Sequence, residues 1–168
     1  MNERKESTTS IILEYVRVIV LTVIATFIFL QFVQISRVNG SSMENTYFQN
    51  NIVLIDKVFY KHSQPKRNDI IIVDYDDGLD DMLIIKRVIA VGGDHLDIKN
   101  NEVYINGKKI KENYIKENMN TEDLSIDIPK GKVFVMGDNR NHSLDSRKLG
   151  YFDFDNDVIG KVFFKIPL

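Results

Sequence analysis

The sequence lacks cysteine, has only three histidines and carries no block of like charge. Without cysteine the chain can form no disulfide, no cysteine-ligated zinc site and no thiol nucleophile. The histidines (His62, His95 and His142) stand singly, and no pair has the spacing of a metal-binding motif. The formal net charge is only −2, which gives no support to nucleic-acid binding. We therefore expect no metal, no cofactor and no nucleic-acid partner.

The overall composition is that of a folded protein. Hydrophobic residues make up 43% of the 168 positions and charged residues 27%, which is the balance of a globular chain rather than a disordered one. The length suffices for one domain of ordinary size once a membrane anchor is subtracted.

One segment, residues 18–36, runs for 19 positions without a charge. As a helix it would be roughly 28 Å long, close to the hydrocarbon thickness of a bilayer. Three interpretations compete: a buried helix of a soluble protein, a cleavable signal peptide ending near Val38-Asn39-Gly40, and an uncleaved anchor. Buried soluble helices are usually amphipathic, whereas this segment is apolar all round. The segment is also longer than the usual core of a signal peptide, so we favour the anchor.

The charges beside this segment predict its orientation. Three basic residues precede it and only Arg37 closely follows it. The positive-inside rule then places residues 1–17 in the cytoplasm, residues 18–36 across the cell membrane and residues 37–168 outside. The sequence thus predicts a single-pass protein whose folded domain is extracytoplasmic.

The remaining chain consists of short apolar runs separated by turn signals, which is typical of a β domain. Asn106-Gly107 predicts a type I′ hairpin turn, and residues 76–78 predict a second turn. A short helix is the best interpretation of residues 110–118. The fold class is therefore mostly β, with about 130 residues in the domain. The predicted strands are 51–56, 69–73, 82–89, 103–105, 132–136 and 158–166.

An acidic cluster lies near the second predicted turn. Its spacing does not reproduce a calcium-binding EF-hand loop, which needs a glycine at position 6 and a glutamate at position 12. We interpret the cluster as a solvated loop rather than a metal site. Its members are Asp74, Asp76, Asp77, Asp80 and Asp81.

Two adjacent cations, Lys86 and Arg87, interrupt the apolar run 82–89. In a strand they point to opposite faces of the sheet. On an edge strand both could be exposed. If one face is instead a core, one cation is buried, and burial lowers the pKa of a lysine. A neutral lysine amine could then act as general base towards a serine hydroxyl.

Three polar segments resemble those of the type I signal peptidases, the Ser/Lys endopeptidases that remove signal peptides from exported preproteins. Residues 40–46 read G-S-S-M-E-N-T, where the family has G-x-S-M-x-P-T. Residues 86–88 read K-R-V and are followed by Gly93-Asp94. Residues 137–150 match G-D-N-R-x-x-S-x-D-S-R-x-x-G at every fixed position. The resemblance covers nearly the whole chain and is to the single-anchor, Gram-positive-like form.

The resemblance implies a role for each matching residue. Ser42 would attack the scissile carbonyl. Lys86 would take the proton of the Ser42 hydroxyl and pass it to the leaving amine, as the histidine does in a Ser-His-Asp triad. The Ser42 N–H would donate to the oxyanion. A further set of residues would support the lysine and the loop below it: Ser143, and the ion pairs Asp138–Arg87 and Asp145–Arg147.

The resemblance also implies a fold, partners and a specificity. The fold would be the β domain shared by signal peptidases and LexA, with one N-terminal transmembrane helix. The partners would be signal peptides of secreted preproteins and the lipid bilayer. Cleavage would follow small residues, held in shallow apolar pockets, and an extended substrate would pair with strand 82–85. The pocket residues would be Met43, Val38, Ile84 and Ile85.

The sequence departs from the family pattern at two places that matter. Gly40 stands where some members have a serine whose hydroxyl donates to the oxyanion, so a second donor is unassigned. Asn45 stands where the family usually has proline, which loosens the turn after the nucleophile without touching the dyad.

Two other functions are compatible with the same fold. A LexA-type self-cleaving regulator uses the same dyad, but it would lack the anchor and normally carry a DNA-binding domain. A catalytically silent, membrane-anchored paralogue or binding module predicts the loss of Ser42 or Lys86. Both residues are present, so we favour the peptidase.

Overall fold

A computed structural model of the chain describes residues 8–76, 78 and 81–167. The chain begins with helix α1 (Thr8–Phe32), whose apolar side chains are exposed along its length. Its segment Thr9–Phe32 is long and apolar enough to cross a membrane. An exposed apolar helix is inconsistent with the interpretation as the buried helix of a soluble protein. The helix begins before the uncharged segment 18–36 begins. It ends at Phe32, before that segment ends, because residues 33–36 belong to a β-strand.

Eleven strands and one further short α-helix follow in the described part of the chain. All strand pairs are antiparallel. The elements are β1 (Val33–Arg37), β2 (Ile52–Asp56), β3 (Ile70–Asp76), β4 (Asp81–Val91), β5 (His95–Lys99), β6 (Glu102–Ile105), β7 (Lys108–Lys109), β8 (Leu124–Asp127), β9 (Lys132–Met136), α2 (Ser146–Leu149), β10 (Phe152–Asp153) and β11 (Val158–Ile166).

The strands form two sheets, which confirms the mostly β fold class. The larger sheet has the order β1-β2-β11-β3-β4-β9-β10, and the smaller one has the order β7-β6-β5-β8. A buried cluster that contains Leu96, Ile98 and Phe134 packs the two sheets together. The site described below lies where β4 and β9 of the larger sheet meet the loops that follow β1 and β9.

Strand β4 lies in the interior of the larger sheet, between β3 and β9. Its alternate side chains enter different core clusters, with Ile84 and Val88 in one and Ile85 in another. Lys86 and Arg87 are therefore both buried. The edge-strand interpretation, in which both cations would be exposed, is wrong.

The six predicted strands are all present, and five others were missed. The Asn106-Gly107 turn is confirmed: both residues have positive φ, and the turn joins β6 to β7. The helix predicted at residues 110–118 is wrong, because that segment consists of turns and irregular chain. The turn predicted at 76–78 and the acidic cluster both include positions outside the described residues, among 77, 79 and 80.

Candidate active site

Ser42 lies in a tight turn that follows β1. The Tyr47 N–H donates to the Met43 carbonyl at 2.8 Å, and the Met43 side chain is 1% exposed, which fixes the turn to the core. Asn139 also binds this turn. Its N–H donates to the Ser42 carbonyl at 2.9 Å and its side-chain amide donates to the Ser41 carbonyl at 3.1 Å. The nucleophile candidate is thus held by the segment that follows β9.

The structure brings Ser42 and Lys86 together, 44 residues apart in sequence. Lys86 Nζ lies 2.8 Å from Ser42 Oγ, and the lysine is 3% exposed. Burial lowers the pKa of Lys86 from its usual 10.5 to about 8; Asp145 opposes this shift and Arg147 adds to it. At that pKa roughly one molecule in ten carries a neutral amine at pH 7. The pair therefore has the geometry and the basicity for proton transfer from the hydroxyl.

Ser143 lies close to the pair, yet the expected hydrogen bond to Lys86 is not formed in this structure. Its Oγ is buried and has no hydrogen-bond partner among the described residues. A Cβ on Gly137 would lie 2.3 Å from this Oγ and 2.5 Å from the Ser42 carbonyl oxygen. Ser143 and the nucleophile turn thus pack on the same glycine, and the orienting role of Ser143 stays a prediction.

Asp138 and Arg87 form the first of the two expected ion pairs. Two guanidinium nitrogens of Arg87 donate to the two carboxylate oxygens at 2.8 and 2.7 Å, and Asp138 is completely buried. The Thr46 hydroxyl donates to the same carboxylate. A bidentate pair with a third donor satisfies most of the buried carboxylate's hydrogen-bonding capacity. The pair joins β4 to both the nucleophile turn and the segment after β9.

Asp145 and Arg147 form the second expected pair, at 2.8 and 2.9 Å. The Asp145 carboxylate also accepts from the Gly137 N–H at 3.0 Å and from the Arg147 N–H at 3.3 Å, where it caps helix α2. This carboxylate therefore fixes the glycine against which Ser143 and the Ser42 turn are packed.

A third buried ion pair was missed in the sequence. The Arg140 guanidinium is fully buried and donates to both oxygens of Glu112, at 3.0 and 2.5 Å, while its Nε donates to the Gly137 carbonyl at 3.0 Å. Beside it, the Arg87 guanidinium lies 3.9 Å from the centre of the Tyr114 ring. Arg140 belongs to the 137–150 motif, but no local signal identified Glu112 or Tyr114.

The four expected pocket residues are all buried, but they do not lie together. Val38, Met43 and Ile85 share one core cluster, whereas Ile84 packs in the cluster on the Lys86 face of β4. Val38 and Ile85, the residue before Lys86, line a small cavity of about 130 Å³. Met43 and Ile84 do not line this cavity, so the structure brings together only part of the predicted pocket.

The possible oxyanion donors are few. The Ser42 N–H makes no hydrogen bond to any described residue and is free to donate. The Gly40 N–H already donates to Gln49 Oε1 at 2.6 Å.

Within the described residues no group of three or more His, Asp or Glu could hold a metal ion. The arrangement as a whole is compatible with a serine nucleophile and a lysine base.

Comparison with known proteins is consistent with this geometry. A family model described as "Signal peptidase, peptidase S26" matches residues 12–166. The chain is 37% identical over 132 residues to signal peptidase I U of Bacillus subtilis, which covers 73% of this chain and 70% of that protein. It is 32% identical over 172 residues to signal peptidase I P of Bacillus subtilis subsp. natto, covering 95% and 91% of the two chains. A crystal structure of a signal peptidase I from Enterococcus faecalis superposes with a TM-score of 0.52 at 28% identity, covering 60% of this chain and 98% of that one.

Proposed function

Because this chain belongs to the signal peptidase family, peptidase S26, and is a serine endopeptidase, we propose that it removes signal peptides from exported preproteins with a Ser42–Lys86 dyad. The observation that carries the proposal is the 2.8 Å separation between Lys86 Nζ and Ser42 Oγ, with the lysine buried. A buried amine with a pKa of about 8 is neutral in roughly one molecule in ten at pH 7, so it can act as a base.

The proposed reaction has two stages. Neutral Lys86 accepts the hydroxyl proton as Ser42 Oγ attacks the scissile carbonyl, and the Ser42 N–H donates to the oxyanion. The Lys86 ammonium then protonates the leaving amine, which gives the acyl-enzyme and releases the mature protein. In the second stage Lys86 takes a proton from water, which attacks the ester, and then returns the proton to Ser42 Oγ as the ester bond breaks and the signal peptide leaves. Ser143 would help to orient the Nζ through these steps.

The small cavity that Val38 and Ile85 line supports cleavage after small residues. Its volume of about 130 Å³ is well below the range of roughly 300–1,000 Å³ for small-molecule sites. A pocket of this size accommodates a small side chain and excludes a large one by steric overlap. Leu83 and Ile85 of β4 line the same cavity, so a substrate that extends along this strand would place side chains in it.

The exposed apolar helix α1 supports a membrane-spanning segment, which we propose to be an uncleaved anchor. Ser42 lies ten positions after Phe32, where the helix ends, so the two residues are at most about 35 Å apart. Ser42 would then work close to the membrane surface, where a preprotein's own apolar segment delivers its cleavage site. We place the N-terminus in the cytoplasm and the β domain outside, from the excess of basic residues before the helix.

A processing assay tests the proposal. The full-length chain in detergent would be given a preprotein, alongside the variants Ser42→Ala and Lys86→Ala, and Ser41→Ala as the control for a neighbouring serine. We expect both dyad variants to lose at least about a thousandfold in kcat/KM and Ser41→Ala to retain activity. Full cleavage by either dyad variant would refute the dyad, and no cleavage by the wild type would favour a catalytically silent binding module.

The anchor has a separate test. Sequencing the N-terminus of the protein isolated from membranes should give residues from the start of the chain. A mature protein that begins at Ser41 would show instead that the apolar helix is removed as a signal peptide.

A further inference from the structure

The peptide group between Ser41 and Ser42 supplies the proposed oxyanion donor. Its N–H belongs to Ser42 and makes no hydrogen bond to any described residue, and its carbonyl belongs to Ser41. The peptide bond is trans, so the N–H and the carbonyl point in opposite directions. Any group that holds the Ser41 carbonyl therefore also fixes the direction in which the Ser42 N–H points.

Two donors hold the Ser41 carbonyl. The Glu44 N–H donates to it at 3.0 Å and Asn139 Nδ2 donates at 3.1 Å, so both lone pairs of the oxygen are used. The Glu44 bond lies within the turn itself, whereas Asn139 follows 98 residues after Ser41 in the chain. The Asn139 bond therefore connects this peptide group to the larger sheet, through the segment that follows β9.

The Asn139 side chain is only half satisfied by its surroundings. The residue is 1% exposed, and its Oδ1 has no hydrogen-bond partner among the described residues. The amide orientation is fixed by the Ser41 carbonyl, which can only accept and so must face the nitrogen. A buried acceptor without a partner costs free energy, and an apolar side chain of the same shape would avoid this cost. The favourable contribution of the amide is thus confined to its bond with Ser41.

From these contacts we infer that Asn139 is a positioning residue for the oxyanion: its amide holds the Ser41–Ser42 peptide so that the Ser42 N–H points at the carbonyl oxygen under attack. The inference rests on the proposed peptidase function. A carbonyl that accepts hydrogen bonds also makes the N–H of its own peptide group a stronger donor, through polarisation. Because the Gly40 N–H is already bound to Gln49, accurate placement of the Ser42 N–H matters more here than in a site with two free donors.

The variant Asn139→Ala gives the first test, in the full-length chain in detergent with a signal-sequence peptide as substrate. It removes Nδ2 but keeps the Asn139 N–H that donates to the Ser42 carbonyl. We expect kcat to fall by about tenfold to a hundredfold, which is less than the loss of an oxyanion donor itself, while KM stays unchanged. The midpoint of the pH profile should equal that of the wild type, because the lost bond does not involve Lys86.

Two further variants separate positioning from stability. Asn139→Leu keeps the branched shape without hydrogen bonds and should lower kcat as Asn139→Ala does, which keeps the inference testable if the alanine variant does not fold. Asn141→Ala is the matched control: this asparagine also donates to a backbone carbonyl, that of Asn118 at 3.0 Å, and its loss should leave kcat unchanged. Circular dichroism would identify the folded variants. Full kcat in a folded Asn139 variant, an equal loss in Asn141→Ala or a shifted pH midpoint would overturn the inference.

An inhibitor gives the second test, because it forms the oxyanion without cleavage. When a peptide aldehyde that ends in alanine reacts, Ser42 Oγ bonds to the carbonyl carbon, Lys86 takes the hydroxyl proton and the carbonyl oxygen becomes the oxyanion. We expect Asn139→Ala to weaken aldehyde binding by the same factor as kcat, and to leave binding of the matching peptide alcohol, which forms no adduct, unchanged. Equal weakening of both compounds, or of neither, would overturn the inference. A wild-type chain that neither cleaves the peptide nor binds the aldehyde would instead count against the proposed function.

Discussion

The Arg140 guanidinium, which has no exposed surface, is bound by both carboxylate oxygens of Glu112, 28 residues earlier in the chain. The same guanidinium donates to the Gly137 carbonyl. The ion pair thus connects the irregular chain after β7 to the glycine on which Ser143 and the Ser42 turn are packed. Glu112 and Arg140 are both far from Ser42 in sequence, so the sequence alone does not indicate this connection.

Removing the carboxylate should destabilise the domain. In Glu112→Ala the Arg140 charge would remain buried without a partner, which costs about 3 kcal/mol or more. Urea unfolding of the full chain in detergent would measure the change, with Glu117→Ala, an exposed neighbour, as the control. A loss below about 1 kcal/mol for Glu112→Ala would show that water or another residue compensates the arginine.

Arg87 should not tolerate replacement by lysine. An ammonium cannot reproduce the two parallel bonds to Asp138. We expect Arg87→Lys to lower the free energy of unfolding by about 2 kcal/mol and to reduce kcat, because the nucleophile turn shares the Asp138 carboxylate through Thr46. Arg67→Lys is the matched control. Arg67 also binds an aspartate, Asp94, but its side chain is 44% exposed, so its replacement should cost less than about 1 kcal/mol. Equal effects of the two changes would contradict this account.

Gly137 should be intolerant of any side chain. An alanine Cβ would overlap Ser143 Oγ and the Ser42 carbonyl oxygen, so the nucleophile turn would have to move. We expect Gly137→Ala to lower kcat by at least about a hundredfold, since small displacements of reacting groups cost that much. Gly107→Ala is the control for backbone effects: it is strained by its positive φ, but its Cβ meets no atom within 4 Å. The prediction would fail if Gly137→Ala were as active as the control variant.

The sequence predicted the secondary structure correctly where patterns of neighbouring residues determine it. The six strands with long apolar runs were predicted, as was the Asn106-Gly107 turn, because alternation and turn chemistry act over a few residues. The short strand β5 was missed although its Leu96 and Ile98 alternate with polar residues. Strand β1 could not be separated from the apolar segment that it continues.

The helix predicted at residues 110–118 does not form, because tertiary contacts determine the conformation of this segment. Its Glu112 and Tyr114 side chains are directed to Arg140 and Arg87, and these contacts outweigh a weak local helix preference. Ser42 and Lys86 were chosen as dyad candidates because their motifs are specific. Glu112, which pairs with Arg140 of the 137–150 motif, was not found, because a pairing across 28 residues leaves no local periodicity.

Replacing the base should stabilise the fold while it abolishes activity. A fall in pKa from 10.5 to about 8 means that folding disfavours the charged lysine by up to about 3 kcal/mol. The penalty is complete below pH 8 and disappears as the pH rises above 10.5, where the amine is neutral in both states. Lys86→Met should therefore be more stable than the wild type to urea at pH 7, by a margin that shrinks towards pH 10. A less stable variant at pH 7 would show that the lysine is not desolvated.

The pH dependence of kcat/KM tests the central claim, that desolvated Lys86 is the base for Ser42, most directly. Only the neutral amine can accept the proton, so the rate should rise tenfold per pH unit below a midpoint of about 8 and level off above it. Activity at pH 6 should then be about a hundredfold below the plateau. A midpoint near 6.5 would assign the base to a histidine, and a profile still rising at pH 10 would show a lysine with an unperturbed pKa. Either result would contradict the account.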